Sequence, residues 1–245
     1  MIEAIGVIVP AHDEEELLAD CLSSLDLAAR RAGVPVHVAV VLDDCRDGSA
    51  GVARLAVVTG GVTILETRGR SVGRARAVGA SALLARHRDV DPAALWLATT
   101  DADSVVPPRW LEAQRVLADE QGVDAVAGTV AVVDWAGHPP EVPGRYHLLY
   151  GSSATQPDHD HVHGANLGVR ASAYLSAGGF APLTCSEDDR LWRTLQALGR
   201  PVVSTWAEPV VTSARSWGRA AGGFADVLRG LAPPPPDETE LEATG

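Results

Sequence analysis

The chain has 245 residues, of which 46% are hydrophobic, so it can bury the core of one large α/β domain and is not a disordered protein. Its formal net charge of -12 argues against nucleic-acid binding, which needs a broad basic surface. No apolar run approaches the roughly 20 residues of a membrane helix. The three scattered cysteines suit a reducing compartment, so we expect a cytoplasmic protein.

Apolar strands alternate with amphipathic helices in the first hundred residues. The pattern predicts strands over residues 4–9, 36–42, 62–66 and 95–100, and helices over residues 14–31, 49–58 and about 73–88. This alternation predicts a parallel sheet with helices on both faces. Polar clusters follow Pro10, Leu42 and Thr100. Because ligands bind such sheets beyond the carboxyl ends of the strands, these clusters should share one rim.

The second half of the sequence is less regular. It predicts helices over residues 107–120, 171–177, 187–198 and 220–231, and strands over residues 123–133, 165–169, 202–205 and 210–212. Residues 134–163 are rich in His, Pro, Gly and Asp and predict a mobile loop region. The Pro-rich, acidic tail, residues 233–245, is predicted to be disordered.

Asp101-Ala102-Asp103 follows the fourth strand directly. Two carboxylates at this spacing can both reach one hard cation. Mg²⁺ or Mn²⁺ held there would bridge the phosphates of a nucleotide diphosphate and stabilise the charge that grows as it leaves. The alternative is an acidic turn in which Asp103 caps the next segment.

Polar residues also follow the first two strands: Pro10, His12, Asp13, Glu14, Asp43 and Asp44. Carboxylates there can accept hydrogen bonds from a pyrimidine N–H or from ribose hydroxyls. One alternative is that Asp13 is a helix N-cap, with Glu16 completing a capping box. The other is ordinary turn formation before Asp47-Gly48.

Arg68, Arg70, Arg74 and Arg76 form the densest basic cluster of the chain. Gly69 and Gly73 allow an anion to approach the start of the following helix, so contact with a diphosphate or sugar is one interpretation. A solvated helix face is the other.

Glu187-Asp188-Asp189 opens a predicted helix. Acidic residues are stabilising at this position without any function, because of the helix dipole. A carboxylate there could also act as a general base toward an acceptor hydroxyl.

His159, His161 and His163 alternate in the predicted loop region. We favour donor or acceptor contact over metal ligation, because hard Mg²⁺ prefers oxygen ligands. Four aromatic residues could either stack on a sugar or belong to the core: Trp135, Tyr146, Tyr150 and Trp217.

Together these motifs resemble the family 2 glycosyltransferases of GT-A fold over about residues 4–230. The matching stretches are residues 7–15, 41–44 with 47–48, 73–76, 101–103, 164–168 and 187–188. The resemblance implies an α/β fold with a mixed, mostly parallel, Rossmann-like sheet flanked by helices. It implies one domain over residues 1–232, with a nucleotide-sugar half at about 1–104 and an acceptor half at 105–232.

The resemblance also implies roles for particular residues. Donor contacts are expected from Pro10, His12, Asp13, Glu14, Asp43, Asp44, Arg70, Arg74, Arg76, Asp101 and Ala102. Asp103 would be the principal ligand of Mn²⁺ or Mg²⁺, with Asp101 beside it. Asp188, with Glu187, would supply the catalytic base. The expected reaction transfers one sugar, with inversion, from a nucleotide-diphosphate sugar to a small-molecule or lipid-linked acceptor. Retention of configuration is the alternative, because a few GT-A relatives that act on small phosphorylated acceptors retain it.

The sequence departs from the family pattern in several places. Asp13 replaces the usual Asn, Cys45-Arg46 interrupts the second motif, and no histidine follows His163. Residues 213–217 are only a distant echo of the Gln-x-x-Arg-Trp motif of processive synthases. Two alternatives are a nucleotidyltransferase, whose first loop is usually Gly-rich and basic rather than acidic, and a non-catalytic nucleotide-sugar binding protein.

Overall fold

Eight strands form one sheet in the part of the chain that the computed structural model describes, which is residues 1–151, 159–215 and 223–233. The strands are β1 (Ala4–Ala11), β2 (Val36–Asp43), β3 (Val62–Thr67), β4 (Leu95–Thr99), β5 (Ser104–Val105), β6 (Ala125–Ala131), β7 (Leu167–Arg170) and β8 (Val202–Thr212). The helices are α1 (Leu18–Arg31), α2 (Ser49–Leu55), α3 (Val72–Arg86), α4 (Trp110–Glu120), α5 (Glu141–Tyr150), α6 (Ala171–Ser176), α7 (Glu187–Ala197) and α8 (Phe224–Gly230).

The sheet has the strand order β3-β2-β1-β4-β7-β6-β8-β5. The first four strands in this order are parallel, and β8 is parallel to β6. β7 runs antiparallel to both β4 and β6, and β5 runs antiparallel to β8. The predicted α/β class with a mixed sheet is confirmed, and the carboxyl ends of β1, β2 and β4 lie on one rim.

Helices cover both faces of the sheet, which explains the uninterrupted apolar sequence of its central strands. Val7 and Val9 of β1 belong to the core that includes residues of α1 and α4. Ile8, between them, belongs to the core on the opposite face, with residues of α3 and α7. Successive side chains of β1 therefore pack against helices on opposite faces of the sheet, and this packing fixes the place where the strand ends.

Among the predicted helices and strands, three elements differ most from the sequence prediction. α1 begins at Leu18 rather than residue 14, because the amides that precede it bond to the loop after β2 instead of starting a helix. One strand, β8, replaces two short strands, and Glu208 adopts a positive φ of 54° where the strand is irregular. The predicted last helix is shorter, since α8 begins at Phe224, and its first three predicted residues lie outside the described residues.

The predicted loop region contains a helix. α5 occupies residues 141–150 because Val142 and Tyr146 provide one buried face, and Tyr146 packs in a small core with Val132 and Leu228. Residues 152–158 of that region and residues 234–245 of the predicted tail lie outside the described part of the chain. Within the described part, no helix has the length and apolar character of a membrane span.

Candidate active site

A cavity of about 390 Å³ opens at the rim formed by β1, β2 and β4. This volume lies in the range of small-molecule sites. Most of the predicted site residues line it: Pro10, His12, Glu14, Asp43, Arg70, Arg76, Asp101, Ala102, Asp103, Glu187 and Asp188. Asp13, Asp44 and Arg74 lie outside its lining.

Asp13 holds two loops together instead of capping α1. Its Oδ1 accepts a 2.6 Å hydrogen bond from the amide of Arg46, and its own φ is 54°. Leu17 occupies the N-cap position and makes no side-chain cap, so the capping interpretation of Asp13 is wrong. Atoms of Asp13, Cys45 and Asp47 lie within 4.8 Å of one another, and each of these residues is hydrogen-bonded within the two loops.

Asp43 is buried at the end of β2 and fixes the loop before α3. Its Oδ1 accepts from the amide of Gly69 at 2.9 Å, and its Oδ2 accepts from the amide of Ser71 at 2.8 Å. The Nδ1 of His12 donates to the Asp43 carbonyl at 2.6 Å. The first and second motifs are therefore joined at the cavity.

Asp44 pairs with Arg70 outside this junction. The Nε of Arg70 donates to Asp44 Oδ2 at 2.9 Å, and both residues have a positive φ. This hydrogen bond lowers the pKa of the Asp44 carboxyl, and Arg46 lowers it further. Two residues predicted as separate donor contacts are thus bonded to each other.

Arg76 is buried, and its guanidinium joins three elements. Its Nε donates to Thr99 Oγ1 at 3.0 Å, its Nη2 donates to Asp101 Oδ1 at 2.5 Å, and its Nη1 donates to Glu187 Oε1. Glu187 is 1% exposed, so this ion pair lies inside the protein. Arg74, two residues earlier, is exposed, which agrees with the solvated-face alternative for that residue.

Asp188 faces the cavity from the first turn of α7. Its Oδ2 accepts from the amide of Gly164 at 2.5 Å, and its Oδ1 accepts from the amide of Asp189 at 2.8 Å. A carboxylate has about four lone-pair sites, so two remain for a ligand. The two amides hold the Asp188 carboxylate in one orientation.

Asp101 and Asp103 both line the cavity, but they differ in exposure and in their arginine partners. Asp101 is 38% exposed, while Asp103 is 11% exposed and its Oδ2 accepts a 2.8 Å bond from Arg215 Nη2. Desolvation beside the cavity wall raises the pKa of the Asp101 carboxyl despite its partial exposure, Arg76 opposes that rise, and Asp103 and Asp188 add to it. Asp101, Asp103 and Asp188 bring three carboxylates to this part of the cavity. A set of hard oxygen donors with negative charge fits Mg²⁺ or Mn²⁺.

The three alternating histidines form a row of stacked rings. The ring centroids of His159 and His161 are 5.8 Å apart, and those of His161 and His163 are 6.1 Å apart. His163 lines the cavity, and its buried Nε2 has no hydrogen-bond partner among the described residues. Burial lowers the pKa of His163 to about 4, although Asp188 opposes that shift. Its imidazole is therefore neutral near pH 7.

The aromatic residues divide between core and cavity. Tyr150 lines the cavity and its ring lies 4.6 Å from that of His161. Tyr146 is buried, and Trp135 packs against it at 5.1 Å, so these two serve the core beneath α5. Trp217 lies outside the described residues.

Arg215 is absent from the predicted site residues, yet it contacts two of them, Glu14 and Asp103. Its Nη1 donates to both carboxylate oxygens of Glu14, at 2.9 and 3.0 Å, and its Nη2 contacts Asp103. The sequence offers two weak signals for Arg215: its place in the segment after Ser213, which is expected to shape the acceptor site, and its distant similarity to the Gln-x-x-Arg-Trp motif of processive synthases.

The acidic cavity lies at the carboxyl ends of parallel strands in a mixed sheet, and this fold matches that of GT-A glycosyltransferases of known structure. The sequence matches the model of Glycosyl transferase family 2 over residues 6–174, and the chain belongs to that family. No curated protein matches the sequence.

Solved structures agree with this fold. S. aureus TarS 1–349 in complex with UDP-GlcNAc matches with a TM-score of 0.64 at 15% identity, covering 93% of this chain and 64% of that one. The mannosyltransferase PcManGT from Pyrobaculum calidifontis, in complex with GDP-Man and Mn²⁺, matches with a TM-score of 0.65 at 18% identity. That match covers 99% of this chain and 69% of the mannosyltransferase. The chain thus spans less than two thirds of the TarS chain.

Proposed function

We propose that this chain transfers a sugar from a nucleotide-diphosphate sugar to an acceptor hydroxyl, with the help of a divalent ion. The observation that supports the proposal most strongly is the shared cavity. It brings residues from the ends of β1, β2 and β4 together with Asp188, although 178 positions separate Pro10 from Asp188 (188 − 10). Structural relatives in complex with UDP-GlcNAc and with GDP-Man and Mn²⁺ are consistent with this class of donor.

The nucleoside would lie against the first two motifs. His12, Glu14 and Asp43 line this part of the cavity, and hydrogen bonds fix Asp43 from both sides. Asp103 and Asp101 would hold Mn²⁺ or Mg²⁺, which supplies positive charge to the diphosphate leaving group. Arg70 lines the same cavity and is a second source of positive charge.

Asp188 would be the catalytic base. It takes the proton of the acceptor hydroxyl as that oxygen bonds to the anomeric carbon, while the diphosphate leaves with the electron pair of the broken C–O bond. This single displacement inverts the anomeric configuration. Glu187, predicted to share this role, is buried against Arg76, and we assign it the task of positioning the start of α7.

The acceptor would enter from the second half of the chain. His163, Tyr150 and Phe224 line the cavity on the side of Asp188 and provide flat rings of the kind on which a sugar stacks. The division into a donor half at about 1–104 and an acceptor half at 105–232, the non-processive mode and the cytoplasmic location stay predictions.

Replacing the base tests the reaction. In Asp188→Asn, release of UDP or GDP from a panel of nucleotide sugars and simple sugar acceptors should fall by about two or more orders of magnitude, the scale of a lost general base. Donor binding, measured as the rise in melting temperature that UDP- or GDP-sugars cause, should persist.

Asp89→Asn is the control for this experiment. Asp89 follows α3, its side chain is 92% exposed, and it lies outside the cavity lining. If Asp188→Asn released UDP or GDP at the same rate as the unaltered protein, the assignment of Asp188 as the base would be refuted.

A further inference from the structure

One arginine bridges the first motif and the metal motif. Arg215 makes three charge-assisted contacts, two to the Glu14 carboxylate at 2.9 and 3.0 Å and one to Asp103 Oδ2 at 2.8 Å. Glu14 is 6% exposed and Asp103 is 11% exposed, so neither carboxylate is well solvated. The guanidinium is therefore a source of positive charge that both carboxylates share.

The guanidinium occupies one oxygen of the carboxylate assigned to the metal, Asp103 Oδ2, at 2.8 Å, and the hydroxyl of Ser104 donates to the other, Oδ1, at 3.3 Å. Burial alone would lower the pKa of Arg215, but Asp103 and Glu14 more than offset it and the pKa rises. An arginine cannot neutralise itself by losing its proton in this setting. A divalent cation that binds Asp103 must therefore displace the charged guanidinium of Arg215 or bind against its repulsion.

We propose that Arg215 and the divalent ion compete for Asp103. This inference rests on the proposed function, because it assumes that Asp103 is a metal ligand. Arg215 occupies the carboxylate as an internal cation, and bare Mn²⁺ binds weakly because it must break the contact. A metal–nucleotide complex binds better, because its phosphates offer the displaced guanidinium new acceptors of negative charge.

The proposal predicts that removal of the contact between Arg215 and Asp103 strengthens the binding of bare Mn²⁺. In Arg215→Gln, Asp103 loses its competing cation, so binding of Mn²⁺ without nucleotide should tighten by about tenfold or more, since hydrogen bonds to charged groups are of that strength. A purely structural role for Arg215 predicts the reverse, because a disordered site binds metal less well. Arg215→Lys keeps the charge and should stay near the value of the unaltered protein.

The experiment measures free Mn²⁺ by electron paramagnetic resonance during titration of each protein with MnCl₂ alone, and repeats the titration with UDP or GDP. The rise in melting temperature with MnCl₂ provides a second readout and shows that each variant is folded. Arg30→Gln is the control, because it removes an exposed ion pair with Asp26 on α1, and it should leave Mn²⁺ affinity unchanged. Asp103→Asn should abolish the gain when combined with Arg215→Gln.

Two outcomes would overturn the proposal and can be told apart. If the unaltered protein and Arg215→Gln both bind Mn²⁺ in the presence of UDP or GDP, but Arg215→Gln binds bare Mn²⁺ no more tightly than the unaltered protein does, the competition is refuted and the metal site stands. If no variant binds Mn²⁺ with or without UDP or GDP, the metal site of the proposed function fails together with the competition.

Discussion

Replacement of Arg76 by methionine should destabilise the protein strongly. The guanidinium is 3% exposed, and its partner Glu187 is 1% exposed. Methionine fills a similar volume but leaves the Glu187 carboxylate buried without its counter-charge. Asp101 also loses a partner, but its side chain is 38% exposed and can be solvated from the cavity. The main cost therefore comes from Glu187.

The size of the effect follows from the desolvation of that one charge. Breaking a buried ion pair by removing one partner costs about 3–5 kcal/mol. In a chain of this size, each kcal/mol lowers the melting temperature by roughly 2–4 °C, so Arg76→Met should melt about 6–20 °C lower. Urea unfolding followed by circular dichroism gives the free energy directly, and thermal unfolding checks the temperature.

A double variant separates the ion pair from lost packing. Arg76→Met combined with Glu187→Met removes both charges, and such replacements of buried pairs are often neutral. The double variant should therefore recover most of the stability that Arg76→Met loses, which is a coupling that a mutant cycle measures. A loss below about 1 kcal/mol in Arg76→Met, or no recovery in the double variant, would refute this account of the buried pair.

Two further predictions concern packing and pH. A Cβ at Gly73 would lie 2.0 Å from the carbonyl oxygen of Ala181, so Gly73→Ala should lower the free energy of unfolding in urea by about 1–3 kcal/mol. Gly51 has open space around it, so Gly51→Ala should be neutral or stabilising. Equal effects of the two substitutions would contradict this close packing at Gly73. The pKa of His163 is about 4 in the folded protein and 6.5 for the free side chain, so on acidification the unfolded chain binds a proton before the folded protein does. The free energy of unfolding should therefore fall by up to about 3 kcal/mol as the pH drops from about 6.5 to 4. His163→Gln should remove this part of the pH dependence and the exposed His147→Gln should not; an unchanged slope in His163→Gln would show that His163 is not the group responsible.

The sequence was most informative where chemistry and topology coincide. The polar residues after Pro10, Leu42 and Thr100 were expected on one rim, and all three strand ends do line the cavity. That inference needed only the order of strands and helices, since parallel strands end on the same side. The family match covers residues 6–174, a range that contains every motif of the resemblance except residues 187–188.

The sequence does not predict which side chains contact one another when they are far apart along the chain. Arg74 and Arg76 have the same chemistry and lie two positions apart on α3, yet one is exposed and the other is buried with Glu187, 111 positions away. Arg215 lies 201 positions from Glu14, so no local pattern could pair them. Their contacts depend on how α3, α7 and β8 pack in three dimensions.

The position of α5 was missed for a different reason. Its sequence includes Pro143 and Gly144, which favour loops, and its buried face has only Val142 and Tyr146. The helix is stabilised by packing against Leu228 of α8, which follows it by many residues. Tertiary packing here outweighs a weak local preference.

The short strand β7 has a consequence for the evolution and dissection of this chain. It lies between β4 and β6 and is bonded to both, so the backbone ladder runs without interruption from one half of the molecule to the other. A fragment that ended near residue 104 would expose the outer edge of β4, a surface prone to aggregation. We therefore expect that residues 1–104 and residues 105–232 cannot be exchanged between proteins as independent modules, and that changes of specificity are easier to make in the loops on the rim.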